Sequence, residues 1–539
     1  MIIGLHLEEN AFEQDIRELL MAFYPGSRFV YGDLEMASRE AAGEGGLDRM
    51  VTGEFIYEKD KVQYRLNLLR IGKAGEDSGK TEGESLWKKK ALSPVMLKGL
   101  EEGEKNLPFP VERENRGETK NRIKRRLYFL LMLDTGKELP WGALTGIRPV
   151  KIPEAKLQEG WPEEKILDFM EANYLTGEKK RRLSLEIAKE ERRLLSSLDY
   201  KKGYSLYVGI PFCPTTCLYC SFTSYPIGKW KDRLGEYLDC LAQELALVRE
   251  YEGDKQLQTI YVGGGTPTSL PEKELFQLME TIQNVFSLDN LREFTVEAGR
   301  PDSITREKLQ ILKDHGVGRI SINPQTMNQK TLDLIGRRHT TGQVEEVFSM
   351  AREMGFDNIN MDMILGLPGE LKDEVSRTLS IIGGMNPDSL TVHCLALKRA
   401  ARLNLEKDRY AGYPMASGEA MDELVEMAAQ SARDLSMKPY YLYRQKNMAG
   451  NLENVGYAKG DKACLYNILM MEEKHTVIGC GAGTTTKVVF PAENRVERQE
   501  NIKNIQEYLP RFPEVLEKKR QFLQKMEEQR QKTLANSLK

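Results

Sequence analysis

From residue 203 onward, short β-rich runs alternate with longer runs that have the apolar periodicity of helices. Repeated alternation of this kind is typical of parallel strands joined by right-handed helical crossovers. The predicted strands are 205–210, 258–264, 293–298, 319–323, 358–365 and 388–397. The pattern is compatible with a complete or partial barrel and with a doubly wound open sheet. In both architectures the active site lies at the carboxyl ends of the strands, so function is to be sought in the loops that follow them.

The loop after the first of these strands contains three of the seven cysteines of the chain. In "GIPFCPTTCLYCSF", Cys213, Cys217 and Cys220 have the spacing C-x3-C-x2-C. A structural zinc site usually has four ligands, and the nearest other cysteine, Cys240, lies in a predicted helix. Three thiolates suit a [4Fe–4S] cluster that leaves one iron open to another ligand, whereas accidental burial of three thiols is the alternative.

Two further motifs follow the second and third predicted strands. Gly263, Gly264 and Gly265 precede Thr266 in "YVGGGTPTSL", and Glu297 stands near the end of the run "EFTVEA". Three glycines let a backbone approach a ligand closely, although such a run can also be only a turn. A carboxylate at a strand end can accept two ribose hydroxyls or can be a solvated loop acid.

Polar residues also occur at the later strand ends. Gln325 follows "RISIN", Arg337 lies in "LIGRRH", and Asp362 interrupts the apolar run "MDMILGLPG". A charge within a buried parallel strand is costly unless it is paired. We therefore expect Asp362 to contact a ligand hydroxyl or to pair with a base such as Arg337. His393 and its neighbour Cys394 are predicted to be core residues.

Length and composition limit the classes of protein to which the chain can belong. A chain of 539 residues is expected to form several domains. With 78 basic and 81 acidic residues the net charge is −3, which argues against nucleic-acid binding by bulk charge. No apolar run reaches the roughly 18 residues of a membrane span, and the N-terminus lacks the basic region of a secretory signal. Few, unevenly spaced cysteines favour the reducing cytoplasm.

The segment "PFCPTTCLYC" resembles the signature loop of the radical S-adenosylmethionine (radical SAM) superfamily. The resemblance implies that Cys213, Cys217 and Cys220 hold a [4Fe–4S] cluster whose open iron binds SAM. Reductive cleavage of SAM then yields a 5′-deoxyadenosyl radical, which takes hydrogen from the substrate. The residues that match the family's SAM pocket are Tyr207, Tyr219, Gly263, Gly264, Gly265, Thr266, Glu297, Gln325, Arg337 and Asp362.

Within that superfamily, residues of about 203–490 resemble the oxygen-independent coproporphyrinogen III oxidases (dehydrogenases). The shared motifs are "YVGIPFC", "YVGGGTPT", "VEAGRPDSI", "LIGRRHT" and "DMILGLPGE", and the N-terminal "LTGIRP" is similar to the HemZ branch of Gram-positive bacteria. The implied activity is oxidative decarboxylation of two propionates of coproporphyrinogen III, giving protoporphyrinogen IX. An electron donor such as flavodoxin or ferredoxin is implied as partner.

The implied fold is α/β, a partial (β/α)6 TIM-like radical SAM barrel with an N-terminal α+β region and a C-terminal α+β extension. The predicted division is an accessory region 1–200, the barrel 201–403, a C-terminal oxidase-like domain 404–510 and a charged helical tail 511–539.

Two other functions stay open at this stage. The residues after Tyr207 and after Cys220 differ from those of the decarboxylases and are closer to a related branch of heme chaperones, which keeps the cluster and the SAM site. A radical SAM enzyme acting on another substrate is the third possibility. Lys398, Arg399 and Arg402, just after the sixth strand, could bind substrate carboxylates or could simply be a solvated helix start.

Overall fold

The computed structural model of the chain describes residues 1–58, 61–71, 93–104, 108–112, 114–199, 202–220, 222, 224–252, 255–396, 401–410, 412–445 and 452–537. It has two compact units, of which the first comprises Met1–Glu186 with Arg444–Leu452 and the second Ile187–Tyr443 with Glu453–Lys539. The predicted division into four parts stays a prediction.

The strands are β1 Ile2–Leu7, β2 Arg28–Tyr31, β3 Arg49–Glu58, β4 Lys61–Arg70, β5 Phe109–Pro110, β6 Gly203–Ile210, β7 Phe212–Cys213, β8 Tyr225–Pro226, β9 Gln256–Gly264, β10 Glu293–Gly299, β11 Arg319–Ile322, β12 Ile359–Leu365, β13 Ser389–Cys394, β14 Lys438–Tyr443, β15 Asn454–Ala458, β16 Thr476–Cys480, β17 Thr485–Phe490 and β18 Arg495–Glu500.

The α-helices are α1 Glu13–Phe23, α2 Leu34–Ala41, α3 Pro94–Glu104, α4 Arg116–Thr135, α5 Lys151–Gln158, α6 Glu163–Tyr174, α7 Glu178–Leu195, α8 Leu234–Glu252, α9 Glu272–Val285, α10 Arg306–Asp314, α11 Gln329–Leu334, α12 Thr341–Glu353, α13 Lys372–Met385, α14 Arg402–Leu405, α15 Lys407–Tyr410, α16 Glu419–Asp434, α17 Leu465–Glu472, α18 Ile505–Tyr508 and α19 Phe512–Ser537.

The first unit contains a five-stranded sheet in the order β2-β1-β3-β4-β5. β1 is parallel to β2 and β3, whereas β3 and β4 pair antiparallel. The core cluster of this unit includes Ile16 and Leu20 of α1 together with Leu127 and Leu131 of α4, all at most 2% exposed. The apolar positions of both helices recur at helical spacing, and they are the ones buried. This unit is the predicted N-terminal α+β region.

The second unit is built on an eleven-stranded sheet in the order β14-β15-β13-β12-β11-β10-β9-β6-β16-β17-β18. The six predicted strands are confirmed as β6, β9, β10, β11, β12 and β13, and these pair in parallel in chain order. A doubly wound sheet reverses its strand order at a switch point, and no such reversal occurs among these six. The α/β fold with a partial (β/α)6 barrel is therefore confirmed.

The C-terminal extension continues the same sheet at both edges. β15 pairs antiparallel with β13 and β14, while β16 lies parallel to β6 and leads into the antiparallel β17 and β18. The final helix, α19, is anchored by a fully buried ion pair between Lys519 and Glu244 of α8. Tyr508 and Asn501 also hydrogen-bond Glu244, so the buried charge has several partners, as a buried ion requires. No helix in the described part of the chain is long and apolar enough to cross a membrane.

Candidate active site

The cysteine loop leaves the carboxyl end of β6, at the edge where a parallel barrel carries its site. Two contacts fasten it to the loop after α11: the amide of Leu218 donates to the carbonyl of Ile335 over 2.9 Å, and the Thr215 hydroxyl donates to the carbonyl of Gly336 over 3.0 Å. Cys217 is buried, whereas Cys213 and Cys220 are partly exposed. The loop is thus held in place by contacts that do not involve the thiols.

Each of the three sulfurs lies near a polar group from a different position in the chain. The Thr266 hydroxyl donates to Sγ of Cys213 over 3.5 Å. Nη1 of Arg300 donates to Sγ of Cys217 over 3.9 Å, and the Ser224 hydroxyl lies 3.9 Å from Sγ of Cys220. The sequence did not predict that Arg300 and Ser224 lie beside the cysteines, nor that Thr266 contacts Cys213.

The protonation of the thiols reflects their burial. Burial raises the pKa of Cys213 to about 11, and it also raises the pKa of Cys220. Both are therefore neutral thiols at neutral pH, and a metal has to displace the proton to obtain a thiolate ligand. In the part of the chain that the structure describes, no three His, Cys, Asp or Glu side chains are arranged around a single metal ion.

The glycine segment packs directly against the cysteine loop. The amide of Gly265 donates to the carbonyl of Ile210 over 2.8 Å, and the amide of Thr266 donates to that of Phe212 over 2.7 Å. A Cβ on Gly265 would lie 2.5 Å from the Phe212 carbonyl oxygen, and one on Gly263 would lie 2.9 Å from the Glu297 carboxylate. Gly263 and Gly265 therefore have no room for a side chain, and the segment packs closely against both Glu297 and the cysteine loop.

Glu297 lies in β10 with its carboxylate held from both sides. The Tyr261 hydroxyl donates to Oε1 over 2.6 Å, and the amide of Gly264 donates to Oε2 over 3.2 Å. Burial raises the pKa of Glu297 to about 7, with a further contribution from the charge of Asp362. Tyr207, predicted in the same pocket, stacks on Tyr261 with ring centroids 6.0 Å apart. A carboxylate this poorly solvated is suited to accept hydroxyl groups of a ligand.

Gln325 has an unusual backbone that the neighbouring strand enforces. Its φ of 68° is in the left-handed region, and its amide donates to the Asp362 carbonyl while its own carbonyl accepts from Ile364. The side-chain oxygens of Gln325 and Asn323 are buried, and neither has a hydrogen-bond partner among the described residues. Strained backbone and unpaired buried oxygens are features of ligand sites, and together with the glycine segment they fit a bound nucleoside such as that of SAM.

Arg337 and Asp362 do not pair with each other. Nη1 of Arg337 donates to the Tyr219 hydroxyl over 3.1 Å, and Nη2 donates to the carbonyl of Asn323 over 2.6 Å. Asp362 instead lies 3.7 Å from Nε2 of His393 and accepts from Asn360 over 2.7 Å. The predicted option of an Asp362–Arg337 pair is therefore wrong, because Arg337 is turned toward the cysteine loop.

Burial alone would raise the pKa of Asp362, but the hydrogen bond and charge of His393, with Asn360, hold it below its ordinary value. The prediction that His393 is a core residue is wrong, since its side chain is 27% exposed. Cys394 is buried as predicted.

Of the three basic residues considered for substrate binding, Lys398 and Arg399 lie outside the described residues. Arg402 is exposed and paired with Glu406.

The fold and this arrangement define a radical SAM protein, and the sequence profile of the radical SAM superfamily matches residues 207–382. The oxygen-independent coproporphyrinogen-III oxidase-like protein HemZ of Bacillus subtilis is 40% identical over 425 residues, which are 78% of this chain and 84% of that protein. The chain belongs to the family of HemZ-like proteins, as the motifs predicted.

Two further similarities were found. The heme chaperone HemW of Bacillus subtilis is 40% identical over 195 residues, covering 36% of this chain and 51% of that protein. The solved structure of coproporphyrinogen III oxidase (HemN) from Escherichia coli matches with a TM-score of 0.47 and 22% identity, covering 58% of this chain and 70% of that one.

Radical SAM proteins use a [4Fe–4S] cluster and SAM, which are thus the cofactors of this chain. Because relatives with different names share the core, family membership does not fix the substrate.

Arg300 is expected to tune the cluster, which gives a first prediction. Arg300 is 3% exposed, and its guanidinium pairs with both oxygens of Asp302 and donates to the Cys217 sulfur. A hydrogen bond from a cation to a cluster ligand stabilises the reduced, more negative state. We expect Arg300→Gln to lower the midpoint potential by about 59 mV, the equivalent of about 1.4 kcal/mol for one electron. A redox titration followed by electron paramagnetic resonance (EPR) measures the shift.

The matched control for this prediction is Arg306→Gln, which removes an exposed arginine paired with Glu353. The control should leave the potential unchanged. An unaltered potential in Arg300→Gln, with the cluster present at full occupancy, would show that the Arg300 contact has no influence on the electronics of the cluster.

Proposed function

We propose that this chain is a radical SAM oxidoreductase that decarboxylates two propionates of coproporphyrinogen III to vinyl groups, giving protoporphyrinogen IX in heme biosynthesis. The observation that supports it is the similarity to the oxidase-like protein HemZ, which extends over 84% of that protein and thus well beyond the radical SAM core. The proposed setting is the cytoplasm, with a flavodoxin or ferredoxin as electron donor and no nucleic-acid partner.

In this proposal Cys213, Cys217 and Cys220 hold the cluster, and the fourth ligand position is left for SAM. When bound, the cluster and SAM would supply a 5′-deoxyadenosyl radical that takes a hydrogen atom from a propionate. The propionate radical would then lose CO2 and pass one electron to a one-electron acceptor, which leaves the vinyl group. The proposed SAM pocket consists of Tyr207, Tyr219, Gly263, Gly264, Gly265, Thr266, Glu297, Gln325, Arg337 and Asp362.

The described contacts support particular roles for these residues. Glu297, fixed by Tyr261 and Gly264, is placed to accept ribose hydroxyls. Gln325 has a buried side-chain oxygen without a partner among the described residues, and the Arg337 guanidinium donates to the hydroxyl of Tyr219 and so orients its ring. These residues hold and orient the nucleoside, and their burial excludes water from the reacting centre.

The decisive experiment is an anaerobic assay of the full chain with a reconstituted cluster, SAM, a reductant and coproporphyrinogen III. The expected result is protoporphyrinogen IX with two molecules of CO2 for each molecule of substrate. Formation of 5′-deoxyadenosine without decarboxylation would contradict the proposal. A cluster-free sample prepared in parallel is the control, and it should yield neither product.

A second candidate is a heme chaperone that retains the cluster and the SAM site. The observation in its favour is the 40% identity to HemW over 195 residues of the core. A chaperone should bind heme stably and stoichiometrically, while leaving coproporphyrinogen III unchanged. Heme titration of the sample used for the assay therefore separates the two functions.

A further inference from the structure

One buried histidine close to the cysteine loop has no role in the proposed SAM pocket. His339 stands in the run "LIGRRHT" and is 0% exposed. Neither nitrogen of its imidazole has a hydrogen-bond partner among the described residues. Buried polar groups are nearly always paired, so a fully buried ring with two unpaired nitrogens calls for an explanation.

His339 lies beside the ion pair that reaches the cysteine loop. Its Nδ1 is 4.0 Å from Oδ1 of Asp302. The two oxygens of Asp302 accept from the Arg300 guanidinium over 2.9 Å and 2.7 Å. Nη1 of Arg300 in turn donates to the Thr215 hydroxyl over 2.6 Å and to Sγ of Cys217 over 3.9 Å. The side chains of His339, Asp302 and Arg300 thus form a row that ends at a cysteine sulfur.

The charges of these groups fix the direction of the hydrogen bonds. Burial, together with the charge of Arg337, lowers the pKa of His339 to about 3, so the imidazole is neutral. Burial alone would raise the pKa of Asp302, but the hydrogen bond and charge of Arg300 hold it below its ordinary value. A neutral imidazole has one N–H donor, whereas an ionised carboxylate only accepts. The proton of His339 therefore belongs on Nδ1, the nitrogen beside Asp302.

The contact between His339 and Asp302 decides how the Arg300 guanidinium is shared. Its N–H groups are divided among the carboxylate, Thr215 and the cysteine sulfur. A second donor to Asp302 takes up part of the accepting capacity of the carboxylate and leaves the guanidinium freer to donate to the sulfur. The separation of 4.0 Å is about 1 Å longer than an ordinary hydrogen bond, and such contacts tighten when a site is filled.

We propose that His339 is a positioning residue of the cluster site, which donates from Nδ1 to Asp302 and thereby keeps the Arg300 guanidinium on the sulfur of Cys217. The proposal rests on the proposed binding of the cluster by the three cysteines, and it is independent of the substrate. Because the imidazole is neutral, its replacement by another neutral side chain alters no charge beside the cluster. A change in the midpoint potential would then report the position of Arg300.

The test is a redox titration of the cluster in the full chain, followed by EPR. We expect His339→Leu and His339→Gln each to disfavour reduction about threefold, which lowers the midpoint potential by about 28 mV, since a tenfold change for one electron is 59 mV. Neither replacement has a donor at the place of Nδ1. His339→Asn should leave the potential unchanged, because its amide nitrogen takes that place.

Two comparisons separate positioning from packing. In a chain that already carries Arg300→Gln, His339→Leu should cause no further shift, since the residue through which it acts is gone. The matched control is His475→Leu, which removes another buried histidine, 2% exposed and bonded to Ser205 near the start of β6. This histidine precedes β16, at the opposite end of the strands from the cysteine loop, and its loss should not alter the potential.

The adverse results can be told apart. If His339→Leu does not fold, the comparison of His339→Gln with His339→Asn decides the question. An unchanged potential in His339→Gln, with the cluster at full occupancy, would overturn the proposal. An equal shift in His339→Asn would show that the ring acts by packing, and a further shift on top of Arg300→Gln would show another route; either result also overturns it.

Failure of the proposed function has a different signature. If the unaltered chain gave no EPR signal of a reduced cluster after reconstitution, the cluster site and this inference would fall together. If the cluster formed and responded to His339 as expected, but coproporphyrinogen III was not decarboxylated, the proposed substrate would be wrong and the role of His339 would stand.

Discussion

Replacement of Cys217 by alanine is expected to remove the brown iron–sulfur chromophore and all cleavage of SAM. A [4Fe–4S] cluster held by three cysteines has no spare protein ligand, so the loss of one leaves two irons without a protein sulfur. Cys217 is the most deeply placed of the three, at 8% exposed, and water cannot readily replace its sulfur. The visible absorption spectrum and the yield of 5′-deoxyadenosine after anaerobic reconstitution measure the result.

Cys240→Ala provides a closely matched control for this experiment. Cys240 is also 8% exposed, but it lies in α8 and not in the cysteine loop. The control should retain full iron content and full SAM cleavage. If Cys217→Ala kept the chromophore and the cleavage, the cysteine loop would not be the cluster site, and the proposed function would lose its basis.

The barrel strands and the position of the site could be predicted from the sequence, because both depend on local patterns. β-rich runs at regular intervals predict the six parallel strands. The carboxyl ends of parallel strands lie at one edge in a barrel and in an open sheet alike. The three cysteines stand within eight residues, so their proximity needs no tertiary structure. Gly263–Gly265 and Glu297 stand at the carboxyl ends of their strands and were found in the same way.

Some site residues that lie far from the cysteine loop in the sequence could not be predicted from it. Arg300 follows Cys217 by 83 residues and reaches its sulfur only because the loops after β6 and β10 meet at the same edge of the barrel. The misjudgement of His393 has the same origin, since an apolar strand in sequence does not reveal which residue faces an opening. The signal that could have helped is the one acid in β12, Asp362, and the one histidine in β13, His393, because the rest of each strand carries no charged side chain.

Glu297→Gln is expected to weaken SAM binding about a hundredfold and yet to stabilise the folded chain at alkaline pH. The loss of affinity follows because a neutral amide replaces an anion that would accept ribose hydroxyls, which is equivalent to about 3 kcal/mol. The gain in stability follows from burial, which raises the pKa of Glu297 from its ordinary value of 4.5 to about 7. A carboxylate that is harder to ionise in the folded state than in the unfolded state costs stability once both are ionised.

The pH dependence distinguishes this explanation from a general effect on packing. Below about pH 4.5 the side chain is protonated in both states and the cost is absent. As pH rises to about 7 the unfolded carboxyl ionises while the folded one does not, so the cost grows to about 3 kcal/mol and then stays constant. Thermal unfolding of the full chain without cofactors should therefore give equal midpoints for the two proteins near pH 4.5. At pH 8 the midpoint of Glu297→Gln should be about 5 °C higher.

Glu293→Gln, in the same strand, is the matched control. Glu293 is 9% exposed and accepts hydrogen bonds from the amides of Leu465 and Tyr466, so its ion is satisfied by the fold. This variant should show no stabilisation at pH 8 and should bind SAM as the unaltered chain does. If Glu297→Gln had unchanged SAM affinity, or an equal stability difference at both pH values, Glu297 would not be the buried ribose-binding carboxylate that we propose.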